Sequence, residues 1–359
     1  MIKALLALFQ DKDRFVITTH QRPDGDALGS QLALGLLLMK MGKHVSLINC
    51  DPPPDNLDWL PKIGSVNVFE GSLGQLQAVA DAEVIVVVDT NTASRIGKMA
   101  TSVMDSAAIK VLIDHHTEPE TWFDYDYRRE SASSTGELIF DFIEALDLSL
   151  IDTEIATVLY TAIMTDTGSF RYSSVNARVH RIVAELLDRG GIEPAPIHVA
   201  LYDTRTVEGL RLLSRCLNTL TLHFEGQLGY MVVQSHTLRE TGAHVSETEG
   251  FVNYVLSIEG VRVGMLFTET AKGTKVSFRS KGDTYVHEWA QHFGGGGHRN
   301  ASGAFLPSSL KPTIKKVIKA APRFIEFGDE ENLNDHAVSG DDAAYLSTLL
   351  EMQSKKTAS

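Results

Sequence analysis

The chain has 359 residues, 43% of them hydrophobic and 22% charged, which suits about two domains with separate cores and excludes a disordered or fibrous protein. Its formal net charge of -13 excludes a global basic field of the kind that gathers long nucleic acid, so phosphate groups would have to be met by metal ions or by a local basic patch. The two cysteines, Cys50 and Cys216, are far apart and in no metal-ligand spacing, which fits buried thiols in a reducing compartment.

The first ten residues are largely apolar, but the run is short and Asp11-Lys12-Asp13-Arg14 follows without a small-residue cleavage site. They read as an amphipathic helix, not a signal peptide. No run reaches the roughly 18 apolar residues of a membrane span, and a cytoplasmic protein with no membrane partner is expected.

A strand over 15–19 leads into His20-Gln21-Arg22-Pro23-Asp24-Gly25-Asp26-Ala27-Leu28-Gly29-Ser30, and a helix is expected over 27–41. One imidazole and two carboxylates therefore fall in a strand-to-helix turn, where open α/β sheets place their ligands. Pro23 would fix φ there and Gly25 would allow positive φ. Groups this close repel unless a cation sits among them; the alternative is a polar loop whose Asp26 caps the next helix.

Further strands are expected over 44–48, 84–88 and 110–113, alternating with helices such as 73–80. The unbroken run Val84-Ile85-Val86-Val87-Val88 suits a strand covered on both faces, as in a parallel sheet. Asp89 follows it, and Asp114-His115-His116 ends the next strand. Helices are then expected over 135–146, 153–164 and 176–188, the last stopped by Gly190-Gly191. Asp166 stands just past the second of them.

Strand ends of a parallel sheet line one edge, so His20, Asp24, Asp26, Asp89, His115, His116 and Asp166 are expected to converge. Four carboxylates and three imidazoles cannot share a crevice as an apolar core, but two divalent cations would neutralise them. Taken singly, each has a plainer reading. Asp89 could cap a helix, Asp166 could be a loop residue, and His115-His116 could be a half-buried pair satisfied by backbone.

Residues from 190 to about 213 read as a connector containing Pro194 and Pro196, followed by a charged helix around 204–218. The period then changes. Segments 220–224 and 228–234 flank Glu225-Gly226-Gln227 as a hairpin, and 261–268 and 275–280 flank a second turn at Ala271-Lys272-Gly273-Thr274. A helix over 285–293 leads into Gly294-Gly295-Gly296-Gly297-His298. The expected domains are 1–190, a connector with a linker helix at 191–218, and an α+β domain at 219–325. Residues 326–359 are expected to form a loosely held tail with a marginal helix over 343–352.

In order and spacing, four stretches resemble the motifs of the DHH phosphoesterases. They are HxxPDGDAxGS from His20, VVVDT ending at Thr90, Ile113-Asp114-His115-His116, and Thr165-Asp166-Thr167-Gly168-Ser169-Phe170. GGGGHRNASGA, starting at Gly294, with Ser277-Phe278-Arg279-Ser280 before it, resembles the DHH-associated second domain. The resemblance spans residue 1 to about 325. With no transmembrane, PAS-like or added nucleic-acid module, it is strongest to the nanoRNase/pAp phosphatase branch, and weaker to membrane-bound cyclic-dinucleotide phosphodiesterases and RecJ-type exonucleases.

The resemblance implies an α/β fold: an N-terminal doubly wound, mainly parallel domain, a smaller C-terminal α+β domain, and an active-site cleft between them. It implies two divalent ions, one held by His20, Asp24 and Asp89, the other by Asp26, Asp89, His115 and Asp166, with Asp89 bridging. This oxygen and nitrogen set suits Mn²⁺, with Mg²⁺, Co²⁺ or Zn²⁺ also compatible. Water shared by the ions would attack phosphorus in line, His116 would donate to the scissile phosphate, and Asp114 would orient a histidine or cap the next segment. Arg279, Ser280, Gly295, Gly296, Gly297 and His298 would grip phosphate or base. The implied substrates are RNA a few nucleotides long and 3′-phosphoadenosine 5′-phosphate; long duplex is not expected, and a homodimer is left open. A linear or cyclic dinucleotide phosphodiesterase is the alternative, and a nucleotide-binding module without turnover is the second.

Overall fold

Five consecutive β-branched residues, from Val84 to Val88, are all buried, and this strand lies in the interior of a six-stranded sheet in a computed structural model that describes residues 1–61 and 66–327. The helix expected over 343–352 lies outside the described residues. The chain divides into two compact units, one comprising Met1–Thr204 and the other starting at Arg205. Among the described residues no helix is long and apolar enough to cross a membrane.

The first unit runs α1 (Ile2–Asp11), β1 (Arg14–Thr18), α2 (Gly25–Lys40), β2 (His44–Asn49), β3 (Asn67–Val68), α3 (Leu73–Asp81), β4 (Val84–Val88), α4 (Ala100–Asp105), β5 (Ile109–Asp114), β6 (Tyr125–Arg128), α5 (Thr135–Leu146), α6 (Thr153–Asp166), α7 (Ala177–Gly190) and α8 (Pro194–His198). Its strands lie in the order β3-β2-β1-β4-β5-β6 and every pairing is parallel. Helices α1, α2, α5, α6 and α7 cover one face, while α3, α4 and the 3₁₀ segment Ala93–Met99 cover the other. The sheet is therefore doubly wound, and its order reverses between β1 and β4, opening a crevice at their carboxyl ends. Strands β3 and β6 were not expected from the sequence: one is two residues long, and the other, Tyr-Asp-Tyr-Arg, is a polar edge.

Helix α2 is buried from Gly25 to Leu38, since the sheet lies on one side of it and α5 and α6 on the other. A Cβ on Gly29 would come within 2.5 Å of the Val158 carbonyl oxygen, so glycine lets α2 and α6 touch. Gly25 acts in the same way beside Thr165, and not through the positive φ expected of it. This close packing brings the end of α6 to the start of α2.

The second unit runs α9 (Val207–Leu217), β7 (Thr221–His223), β8 (Leu228–Val233), α10 (Ser235–Thr241), α11 (Phe251–Leu256), β9 (Val263–Thr270), β10 (Gly273–Ser280), α12 (His287–His292), β11 (Gly296–His298), β12 (Ala301–Leu306) and α13 (Leu310–Ala320). Both expected hairpins form, β7–β8 and β9–β10. The sheet order is β11-β12-β10-β9-β8-β7, antiparallel except for β8–β9. Helices α12 and α13 pack on one face; α9 and α11 pack on the other, over β8 and β9. The segment 191–218 divides between the units. Ile197 of α8 joins the core of the first, and Leu212, Leu213 and Cys216 of α9 join that of the second. Both cysteines are buried and unpaired.

Candidate metal centre

The crevice is built where β1, β4 and β5 end. Thr19 Oγ1 donates to the Val88 carbonyl at 2.9 Å and ties the first two ends together. His20 follows, buried, with Nδ1 2.9 Å from the Gln21 carbonyl oxygen. The cap of α2 is Asp24, whose Oδ1 accepts from Ala27 N at 3.0 Å, and not Asp26. Asp26 turns inward from the first helical turn. Its Oδ2 accepts from Thr135 N at 2.7 Å, and its Oδ1 from Gly136 N at 2.9 Å and Ser30 Oγ at 3.0 Å. The amino end of α5 thus fixes both oxygens, a role the sequence reading missed.

Asp89 comes straight after β4 with φ +59°, a left-handed conformation that is uncommon for a residue with a Cβ and clusters at functional sites. The turn points its carboxylate into the crevice, where Oδ1 accepts from Thr135 Oγ1 at 2.9 Å. His20 Nε2 lies 3.3 Å from Asp89 Oδ2 and 3.9 Å from Asp24 Oδ2. His115 Nε2 lies 3.4 Å from Asp166 Oδ2, 3.6 Å from Asp89 Oδ1 and 3.7 Å from Asp26 Oδ2. Its Nδ1 is 3.1 Å from the Ala132 carbonyl oxygen. His116 Nδ1 lies 3.9 Å from Asp89 Oδ1. Its Nδ1 donates to Asp114 Oδ1 at 2.7 Å, and Asp114 is fully buried at the end of β5.

Asp89 groups with Asp114 and His116, and two further donor sets are His20 with Asp24 and Asp89, and Asp26 with His115 and Asp166; within each, the donor atoms lie within 4.8 Å of one another. Asp89 reaches both, since its two oxygens face His20 and His115. A carbonyl oxygen only accepts, so in a neutral ring Nδ1 of His20 and of His115 carries the hydrogen. Each Nε2 then turns a lone pair toward carboxylates, which is repulsive unless a cation lies between. Oxygen and imidazole donors without thiolate fit a divalent ion of the Mn²⁺ or Mg²⁺ kind.

Without a cation, protons take up the conflict. Burial, with the charges of Asp89, Asp166 and Asp24, pushes Asp26 well above the carboxylate range. Burial and neighbouring carboxylates outweigh His115 and raise Asp166 to about 6. Burial acts on Asp89 as well, but His20 and the charges of His116 and His115 prevail and lower it. For His116 burial favours the neutral ring, yet Asp114 and Asp89 win and raise it to about 9.

Beneath the crevice a charged network holds α5. Arg129 donates to Glu137 Oε1 at 3.0 Å and to Asp141 Oδ2 at 2.8 Å, and Tyr127 OH donates to that same Asp141 oxygen at 2.8 Å. Arg178 adds a bond to Asp141 and one of 3.0 Å to Glu144. Glu137 Oε2 accepts from Ser133 N at 2.8 Å. Glu137 and Asp141 are buried, so two arginines neutralise them from α7 and from the loop after β6.

In the second unit, Lys275, Ser277 and Arg279 alternate on β10 with buried Val276, Phe278 and Ser280. Arg279 pairs with Ala301, and Ala301 pairs with His298, so Arg279 and His298 share one row and one face. Ser280 is on the other face, where its Oγ accepts from Asn300 at 3.0 Å. The glycine run passes from a turn at Gly294 into the edge strand β11 at Gly296. A Cβ on Gly295 would meet the Gly303 carbonyl oxygen at 2.0 Å, and Gly297 has φ +134°, so these two let β11 close onto β12. Gly296 faces open space.

Residues 14–163 match the DHH family, N-terminal domain, and residues 227–326 match the DHHA1 domain. The chain is 30% identical over 305 residues to a bifunctional oligoribonuclease and PAP phosphatase NrnA of Thermus thermophilus, covering 85% of this chain and 88% of that one. It is 27% identical over 300 residues to the Bacillus subtilis protein of the same name, covering 82% and 90%. Among solved structures, an exopolyphosphatase-related protein from Bacteroides fragilis superposes with a TM-score of 0.84 at 32% identity, covering 90% of this chain and 97% of that one.

Proposed function

The chain belongs to the DHH family of phosphoesterases, and from that premise we propose that it hydrolyses RNA a few nucleotides long to mononucleotides and 3′-phosphoadenosine 5′-phosphate to AMP. The observation that carries this reading is Asp89, whose two oxygens face the imidazoles of two separate donor sets. A nucleotide-binding module has no need of a bridging carboxylate. The relatives named as oligoribonuclease and PAP phosphatase supply the substrate class.

In this reading His20, Asp24 and Asp89 hold one divalent cation, and Asp26, Asp89, His115 and Asp166 hold a second, with Mn²⁺ the best match to the donors. Bound there, the cations would lower the pKa of a water toward neutrality and offset phosphate charge, which an acidic protein otherwise repels. The protein's own groups do the rest. The amino end of α5 and Thr135 hold Asp26 and Asp89 at fixed angles. Asp114 keeps the proton on His116 Nδ1, so that a protonated ring also has Nε2–H to donate to charge growing on a phosphate oxygen. Arg279 offers a planar fork for a second phosphate, beside His298. A cytoplasmic setting belongs to this reading and agrees with the two unpaired thiols.

The test is release of mononucleotide from a labelled diribonucleotide, and of AMP from 3′-phosphoadenosine 5′-phosphate, with added Mn²⁺ and with Asp89→Ala as control. Product from both, absent in the variant, is expected. Selective turnover of a cyclic dinucleotide would move the enzyme to signalling chemistry. Tight binding with no product at any divalent metal would remove the hydrolase reading.

A further inference from the structure

Helix α13 stands out in a chain of net charge -13, because the stretch from Leu310 to Arg323 carries four lysines and an arginine and no acid. Its buried side, with Leu310, Thr313, Val317 and Ala320, packs into the second unit's core. Lys311, Lys315 and Lys319 follow one another at four-residue spacing and are exposed, so they form a line of charge along the helix. Among the described residues none of the three makes an ion pair.

That line borders a groove of about 490 Å³ whose lining includes Ile314, Ile318, His223 and Tyr230. The two rings come from β7 and β8, are nearly parallel at 16°, and lie with centroids 5.7 Å apart. Thr221 pairs with Tyr230 and His223 with Leu228, so both rings stand on the sheet face that carries α13. One side of the groove is aromatic and flat, its floor is aliphatic, and its rim is cationic. An acidic peptide would use the rim and leave the rings idle. Single-stranded nucleic acid uses both, with phosphates on the cations and bases on ring faces.

We propose that this groove is a second RNA-binding site, holding a stretch of single-stranded RNA with its phosphates along Lys311, Lys315 and Lys319 and a base against His223 and Tyr230. It lies in the second unit and uses none of the residues assigned to the metal centre or to the Arg279 face. The proposal rests on the reading of RNA as substrate. It adds that strands longer than the catalytic groups need are bound through this groove.

The test separates the two. Binding of a fluorescein-labelled decaribonucleotide is followed by anisotropy in EDTA at several salt concentrations, for the wild type, for Lys311→Glu/Lys315→Glu/Lys319→Glu and for His223→Ala. Hydrolysis of a diribonucleotide with Mn²⁺ is measured alongside, and melting by circular dichroism confirms the fold. The charge-reversed protein is expected to bind the decamer at least about tenfold more weakly, and the slope of log affinity against log salt is expected to shrink by about 2, the loss of three phosphate contacts. His223→Ala should weaken binding with no change in that slope. Diribonucleotide hydrolysis should stay within about twofold of wild type in both, since the contact lies outside the metal centre.

Unchanged decamer affinity and slope in the charge-reversed protein overturn the proposal. So does displacement of the decamer by an acidic peptide at lower concentration than by unlabelled RNA, which would give the groove to a protein partner. If the wild type fails to cut the diribonucleotide with any divalent metal, the catalytic reading falls, while the anisotropy still decides the groove.

Discussion

Thr135 Oγ1 donates to Asp89 Oδ1 at 2.9 Å, while the backbone N–H of the same Thr135 donates to Asp26 at 2.7 Å. One residue at the start of α5 thus fixes two carboxylates that belong to different donor sets. A substitution can remove its hydroxyl without touching the backbone bond.

Thr135→Val keeps shape and backbone and deletes that hydroxyl. The loss of stability should be about 1 kcal/mol, while Mn²⁺ affinity should fall by about 10–100-fold, as for other groups that orient metal ligands. Denaturant unfolding and a metal titration measure the two effects separately. Equal losses of stability and affinity in proportion to unfolding would remove the orienting role.

Asp166 carries a cost to the fold. Its carboxyl is raised to about 6 by burial and by neighbouring carboxylates, so the folded protein binds a proton more tightly than the unfolded chain does. Stability without metal should therefore rise as pH falls through about 6 toward the ordinary carboxylate range, and be lowest above it. Asp166→Asn should melt higher than wild type in EDTA at neutral pH, by about 1–3 kcal/mol, and the gap should close at acid pH. With Mn²⁺ present the order should reverse, because only the wild type gains from the cation. Calorimetry at two pH values, with EDTA and with Mn²⁺, checks both signs.

Arg129 bridges two buried carboxylates on one helix face. Replacing it by Met leaves Glu137 and Asp141 with Arg178 as their one arginine among the described residues, beside the neutral donors Ser133 and Tyr127, and should cost about 2–4 kcal/mol. Arg129→Lys should recover little of this, since an ammonium cannot reach both acids with a planar fork. Chemical denaturation measures it.

The glycine run separates structural need from open space. Gly295→Ala should destabilise the second unit by more than about 2 kcal/mol, because the added methyl meets the Gly303 carbonyl. Gly296→Ala should leave melting within about 0.5 kcal/mol of wild type. If β11 serves the substrate, that same methyl should raise KM with kcat little changed. An unaltered KM would show that this edge does not face the substrate.

Much of the first unit was legible in the sequence because its signals are local. The VIVVV run suits a strand covered on both faces, and its five residues are buried in an interior strand, so the donor-bearing strand ends followed from that. Even so, the cap of α2 fell on Asp24 and not on Asp26, since both offer the same carboxylate and only the helix start decides between them. The positive φ expected of Gly25 was a misreading, and the close packing at Gly295 and Gly297 went unseen, for a related reason. A glycine states that a Cβ is absent, and not which distant atom excludes it.

Chain order and residue type thus determined which groups could bind a cation, because alternating strands and helices bring strand ends to one edge whatever the loops do. Only the tertiary structure decided how those groups are held. Asp26 accepts from Ser30 nearby, but its two backbone donors lie 109 and 110 positions away, and the donor to Asp89 lies 46 away. Such contacts leave no periodic trace, since they arise from the packing of α2, α5 and α6 and not from any segment's own preference. The line of lysines beside the His223–Tyr230 rings belongs to the same class, with a helical spacing visible in the sequence and a groove that exists only once the sheet has formed.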